Sequence, residues 1–183
     1  GIAAVTRRAV FLDRDGVINA VTVVDGVSRP PATLDQLDIL DGVAEALDVL
    51  GRAGYLRLVV TNQPDVARGQ QDREVVEAIH RHLSATLPLD GIFVCYHDNS
   101  EHCTCRKPKP GLLLQAAAEF EIDLSRSVMV GDRDTDIAAG QAAGCRTVLV
   151  GQSIVGRTGN RLTPDFAAHD LAEAADMIVH LAD

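Results

Sequence analysis

Asp13 and Asp15 stand at the end of the first apolar run of the chain, Ala9-Val10-Phe11-Leu12. Alternate carboxylates at a strand end are near neighbours, and two such charges repel unless a cation or unequal proton affinities separate their roles. A later apolar run, Val128-Met129-Val130, ends in Gly131-Asp132, with Asp136 one helical turn further on. Where the two strand ends converge, these carboxylates form an oxygen-rich cage suited to a hard cation such as Mg²⁺. One isolated aspartate in such a place is usually a cap or a turn former. The repetition of the pattern after separate apolar strands favours the cage.

Cations to match are found in Arg106-Lys107-Pro108-Lys109-Pro110. A charge run of this kind is commonly just solvated. Here it abuts a cysteine cluster and precedes a helix, and its prolines restrict the backbone enough to hold a lysine in place. Thr61 and Asn62, which end another apolar run, offer a hydroxyl and an amide donor. Carboxylates with Mg²⁺, a hydroxyl, an amide and an ammonium are suitable parts for phosphoryl transfer, where position and charge dominate catalysis.

A second constellation is Cys95-x-His97-x5-Cys103-x-Cys105. Three thiolates and an imidazole suit Zn²⁺, and the short spacings let one loop, about residues 95–105, wrap the ion. His102 adjoins Cys103 and competes with His97 for the fourth position. With every position filled by protein, the zinc is structural, and it fixes the loop that presents Arg106 and Lys107. Cys145 stands apart and reads as a small buried hydrophobe.

The elements that must position these groups follow from periodicity. Short apolar runs predict strands at Ala9–Leu12, Tyr55–Val60, Gly91–Cys95, Val128–Val130 and Cys145–Val150. Helical spacing predicts helices opening at Asp41-Gly42 and stopped by Gly54, over Asp72–Thr86, after Pro110, over Thr135–Ala143 and over Leu171–Leu181. Residues 17–41 show no clean period, and hold a turn former at Asp25-Gly26 and a break at Pro30-Pro31. Alternating strands and helices imply an α/β fold, an open parallel Rossmann-like sheet with its binding crevice beyond the carboxyl ends of the strands. The 183 residues are expected to form a single domain, 1–183.

Composition narrows the partners. With 17 Lys and Arg against 26 Asp and Glu, the formal charge is −9, which disfavours a polyanion. Two Tyr, four Phe and no Trp leave little for base stacking, so no nucleic acid is expected. No apolar run is long enough to span a membrane. The chain is expected to be cytoplasmic, a compartment in which clustered cysteines bind metal rather than pair.

The ordered set Asp13-x-Asp15, Thr61, Lys107 and Gly131-Asp132 with Asp136 resembles the haloacid dehalogenase superfamily over about Ala9 to Val150. Within it, Phe11-Leu12-Asp13-Arg14-Asp15-Gly16-Val17-Ile18-Asn19, Val60-Thr61-Asn62-Gln63, Ala67-Arg68-Gly69 and Cys105-Arg106-Lys107-Pro108-Lys109-Pro110-Gly111 resemble the small bacterial phosphatases that remove the 7-phosphate of D-glycero-D-manno-heptose 1,7-bisphosphate. The resemblance implies a sheet of the dehalogenase type and a small phosphorylated sugar as substrate; the loops are too short for a large separate cap domain, and a monomer is expected. It implies Asp13 as nucleophile, forming an aspartyl-phosphate, and Asp15 as the general acid and then base. It implies Mg²⁺ on Asp13, Asp132 and the Asp15 backbone carbonyl, with Asp136 in an orienting role. Thr61 and Lys107 would steady the phosphoryl oxygens, and Asn62, Arg68, Arg106 and Arg133 would bind substrate. It also favours His97 over His102 as the zinc ligand.

The match weakens at Val21–Pro31, where the heptose enzymes carry a polar segment, and at Pro64-Asp65. The short His97–Cys103 spacing and Gly131-Asp132-Arg133 resemble histidinol-phosphate phosphatases instead. Histidinol phosphate or another small phosphate ester is therefore the alternative substrate. A catalytically silent, zinc-stabilised interaction module is the alternative of another class, disfavoured because Asp13, Asp15 and Lys107 are all present.

Overall fold

Residues 6–151 and 163–181 are described by a computed structural model. The expected single domain, 1–183, runs beyond the described residues at both ends and between them. Strand β1 (Arg8–Leu12) is the run that ends in Asp13. A hairpin follows, β2 (Thr22–Val24) and β3 (Val27–Arg29), and then helix α1 (Val43–Arg52). Next come β4 (Tyr55–Asn62), α2 (Arg73–Thr86), β5 (Gly91–Cys95) and α3 (Gly111–Phe120). The chain continues through β6 (Val128–Gly131), α4 (Asp134–Ala143), β7 (Arg146–Val150), β8 (Phe166–Ala168) and α5 (Leu171–His180).

Six strands form one sheet in the order β5-β4-β1-β6-β7-β8, and every neighbouring pair is parallel. Both faces are covered, which is why β1 reads as an unbroken apolar run rather than an alternating one. Val10 and Leu12 join the core that includes Leu47, Ile79 and Ile178 of α1, α2 and α5. Ala9 and Phe11 point the other way, toward Leu113 and Ala116 of α3 and Ala139 of α4. Leu114, the next residue on α3, faces outward and is 48% exposed.

The order of strands decides where the site lies. From β1 the chain moves outward to β4 and β5, then returns to β6 on the other side. The connections diverge between β1 and β6, which opens a crevice at their carboxyl ends. Asp13 leaves β1 there, its N–H donating to the Val130 carbonyl at 3.0 Å, and Asp132 follows β6 on the same edge.

Residues 17–41 hold order that the sequence pattern does not reveal. Asp25 (φ 51°) and Gly26 (φ 76°) make a two-residue turn with both central residues left-handed. That turn type matches the twist of paired strands and closes the β2–β3 hairpin. Two strands of three residues are too short to show a period. Between β1 and α1, this hairpin and a turn of 3₁₀ helix at Leu34–Gln36 are the regular elements, so no large cap follows the first strand. Strand β8 was likewise absent from the periodicity. No helix among the described residues is long and apolar enough to cross a membrane.

Candidate active site

Lys107 is the centre of the arrangement. Its Nζ donates to Asp13 Oδ1 at 2.8 Å, to Asp136 Oδ1 at 2.6 Å and to the Val60 carbonyl at 2.8 Å. Three acceptors use all three donors of the ammonium, so its position is determined. Burial opposes the charge, but Asp13 and Asp136 outweigh it and hold Lys107 above the ordinary lysine value. Its backbone is clamped too: Asn62 Oδ1 accepts from Lys107 N, and Asn62 Nδ2 donates to Lys107 O, both at 3.1 Å. Asn62 thus borders the crevice with its amide engaged on the loop that carries Lys107.

Asp13, Asp132 and Asp136 bring one carboxylate oxygen each to within 4.8 Å of one another. Burial and then the Asp136 charge push Asp13 well above the usual aspartate value, Asp132 and Asp15 add to this, and Lys107 opposes it. Asp132 is raised by burial and by Asp136. Its Oδ1 is buried and has no hydrogen-bond partner. One ammonium does not balance three carboxylates, and a buried acceptor without a donor is costly. Both facts fit a divalent cation held by Asp13 and Asp132. Asp136 differs: its Oδ2 accepts from the N–H groups of Asp132 and Arg133 at 3.2 Å each, capping α4. Gly16 (φ 88°) leaves room for this cluster, since a Cβ there would lie 2.1 Å from Asp132 Oδ2.

Asp15 is outside this group of three. Its Oδ1 accepts from Arg14 Nη2 (2.8 Å), Arg14 Nε (3.3 Å) and Asn19 Nδ2 (3.0 Å), and its Oδ2 from Gln63 Nε2 (2.9 Å). Thr61 is fully buried, and its Oγ1 also accepts from Gln63 Nε2, at 2.9 Å. Neither Arg14 nor Gln63 was singled out from the sequence for a role, although both lie inside the quoted motifs.

The crevice has a volume of about 370 Å³ and is lined by Asp13, Asp15, Lys107 and four arginines, Arg29, Arg68, Arg106 and Arg133. Arg68 pairs with Asp65 at 3.5 Å. Arg106 Nε donates to Asn99 Oδ1 at 2.8 Å, while its buried Nη1 has no protein partner. Arg29 comes from β3 in the stretch where no period was legible. A net charge of −9 therefore coexists with a locally cationic wall.

Behind Lys107, the Sγ atoms of Cys95, Cys103 and Cys105 and Nδ1 of His97 converge. Cys95 Sγ lies 3.0 Å from Cys105 Sγ and 3.7 Å from Cys103 Sγ, and His97 Nδ1 is 3.3 Å from Cys105 Sγ. His102 is outside this group. Burial, and then the Cys105 thiol, push the Cys95 thiol upward, as expected where thiols crowd without a cation. The four donors have the chemistry and convergence of a closed zinc site.

Comparison with known proteins gives the family. Residues 104–174 match the HAD-hydrolase-like family model. The D-glycero-beta-D-manno-heptose-1,7-bisphosphate 7-phosphatase of Pasteurella multocida is 39% identical over 171 residues, covering 87% of this chain and 86% of its own. The corresponding enzyme of Thermosynechococcus vestitus is 38% identical, covering 96% and 98%. The D,D-heptose 1,7-bisphosphate phosphatase from B. bronchiseptica, solved with magnesium and phosphate, superposes with a TM-score of 0.81 at 32% identity, over 96% of this chain and 99% of that one. The chain belongs to the haloacid dehalogenase superfamily of hydrolases, in the family of the heptose-bisphosphate phosphatases.

Proposed function

We propose that this protein removes the 7-phosphate of D-glycero-D-manno-heptose 1,7-bisphosphate, in a single-domain, Mg²⁺-dependent reaction. The observation that carries the reading is the Lys107 ammonium shared by Asp13 and Asp136, beside the unpartnered oxygen of Asp132. The names of the relatives supply the substrate.

Asp13 attacks phosphorus, and the bond from phosphorus to the sugar oxygen breaks. Asp15 gives that oxygen its proton, then takes one from the water that attacks the aspartyl-phosphate, releasing inorganic phosphate and free Asp13. A carboxylate approaching a phosphate dianion is repelled, and Lys107 lowers that repulsion from a position set by three hydrogen bonds. The Thr61 hydroxyl donates to a phosphoryl oxygen. Asp13, Asp132 and the Asp15 carbonyl would hold Mg²⁺, which supplies positive charge to the transferring group when bound. Arg68, Arg106 and Arg133 bind the distal phosphate, with the buried Nη1 of Arg106 as the donor most in need of an acceptor. Cys95, His97, Cys103 and Cys105 would hold Zn²⁺, which would fix the loop bearing Arg106 and Lys107.

The test is phosphate release, with added Mg²⁺, from heptose 1,7-bisphosphate anomers, histidinol phosphate and simple sugar monophosphates. A kcat/KM preference of about 100-fold for one heptose bisphosphate, roughly 2.7 kcal/mol of transition-state discrimination, is the expected result. Flat turnover across the panel would remove the substrate assignment, and no turnover would remove the phosphatase reading.

A further inference from the structure

Among the described residues, Arg14 has the largest fully buried side chain, at 1% exposure. A guanidinium so placed requires partners for its donors. Nε and Nη2 fork a single oxygen, Asp15 Oδ1. Nη1 points the other way, to Nε2 of His80 on α2 at 3.0 Å. Arginine has no acceptor and keeps its proton, so His80 must accept through an unprotonated Nε2 and carry its proton on Nδ1. Burial, and next the Arg14 charge, bring the His80 imidazole down to about 4, consistent with that neutral form.

The result is an unequal carboxyl at Asp15. Oδ1 receives three N–H donors, two from Arg14 and one from Asn19, while Oδ2 receives one, from Gln63. An oxygen with three donors has no lone pair left for a proton in transit. Oδ2 does, and it lies on the side of Gln63, which lines the crevice. We propose that Asp15 Oδ2 is the atom that gives and takes the catalytic proton, and that His80, acting through Arg14, is a positioning residue that reserves it by locking Oδ1. This rests on the reading of Asp15 as the general acid and base. His80 is separated from the reacting atoms by Arg14, so its effect is one of geometry, where small displacements of a proton donor are costly.

A poor leaving group needs Asp15's proton when its bond to phosphorus breaks, and a nitrophenolate does not. The kinetic parameter kcat/KM reports steps up to that first irreversible event, so it separates the two cases. His80→Leu is expected to lose about 10-fold or more in kcat/KM on an alkyl phosphate, here the best sugar phosphate of the panel, and less than about 3-fold on p-nitrophenyl phosphate. His80→Gln, which keeps an acceptor, recovers most of the loss. Arg14→Lys, which keeps the charge and cannot both fork Oδ1 and reach His80, repeats the leaving-group pattern and serves where His80→Leu does not fold. Equal losses on both esters, or no loss on either, overturn the proposal. Asp15→Asn tests the underlying reading separately: an enzyme that keeps alkyl-phosphate hydrolysis without the Asp15 carboxyl removes Asp15 as the acid, whatever the His80 variants do.

Discussion

Lys107 and Asp13 lie 94 residues apart in the chain and meet in a buried ion pair of 2.8 Å. The pairing joins the end of β1 to the loop that follows the thiol cluster. Removing the ammonium leaves Asp13 and Asp136 buried together without a cation of the protein's own. Lys107→Ala is expected to lower kcat by about 10²–10³-fold and to cost roughly 3–5 kcal/mol of stability in the absence of added Mg²⁺. Lys109 is exposed and donates to the Cys103 carbonyl, so Lys109→Ala should stay within about 3-fold of wild type. Steady-state rates and urea melts of the two variants, side by side, make the comparison. Equal small losses would reduce Lys107 to one member of a solvated charge run.

Asp13→Asn is close to isosteric and keeps a carbonyl acceptor for Lys107. It should fold, match wild type in zinc content and lose turnover by at least about 10³-fold, because an amide is no nucleophile. Acid-quenched enzyme mixed with labelled substrate should show protein-bound phosphate in wild type and none in the variant. Wild-type turnover by a clean preparation of Asp13→Asn would remove Asp13 from that role.

Cys103 Sγ sits 3.7 Å from Cys95 Sγ and accepts from the Arg106 N–H at 3.4 Å. It connects the thiol cluster to the first cation of the crevice. Cys103→Ser should lower zinc per chain from about one to well below half, since a hydroxyl is a poor substitute for a thiolate. Activity should fall with it, through loosening of Arg106 and Lys107. Elemental analysis alongside kcat reads both. Full zinc in the variant would exclude Cys103 as an essential ligand.

The depressed imidazole of His80 has a consequence for stability. The unfolded chain takes up this proton near pH 6.5 and the folded chain only near pH 4, so between them the unfolded state binds more protons. The contribution of neutral His80 is fully present above about pH 6.5 and is lost as pH falls toward 4. Wild type should therefore lose about 2 kcal/mol more than His80→Gln between about pH 7 and pH 5. Urea melts of both proteins at the two pH values give the difference, and parallel losses would show that His80 is free to protonate in the fold.

Much of the site is legible in the sequence. Alternating short apolar runs and helical periods place every long element of the sheet within a residue or two, because a doubly covered parallel strand has a one-dimensional signature. The topology rule then puts Asp13, Asp15 and Asp132 on one edge. His80 shows where such reading stops. It occupies the buried face of α2 with Val76, Ile79 and Leu83, and its spacing from Val76 is one helical turn. The helical period of Val76, Ile79 and Leu83 carries no signal for its partner.

By itself, then, the sequence determined the strand order's raw material, the carboxylate and thiol sets, and the superfamily, since these depend on local periodicity and on residue types at strand ends. Only the tertiary structure decided which atom meets which. It turned Asn62 into a clamp on Lys107, brought Arg29 of an unforeseen hairpin to the crevice wall, set His97 Nδ1 3.3 Å from Cys105 Sγ, and gave one oxygen of Asp15 three donors and the other one. The physical reason is common to all four. A side-chain hydrogen bond is specified to a few tenths of an ångström by packing in three dimensions, and no spacing along one strand or helix carries that information.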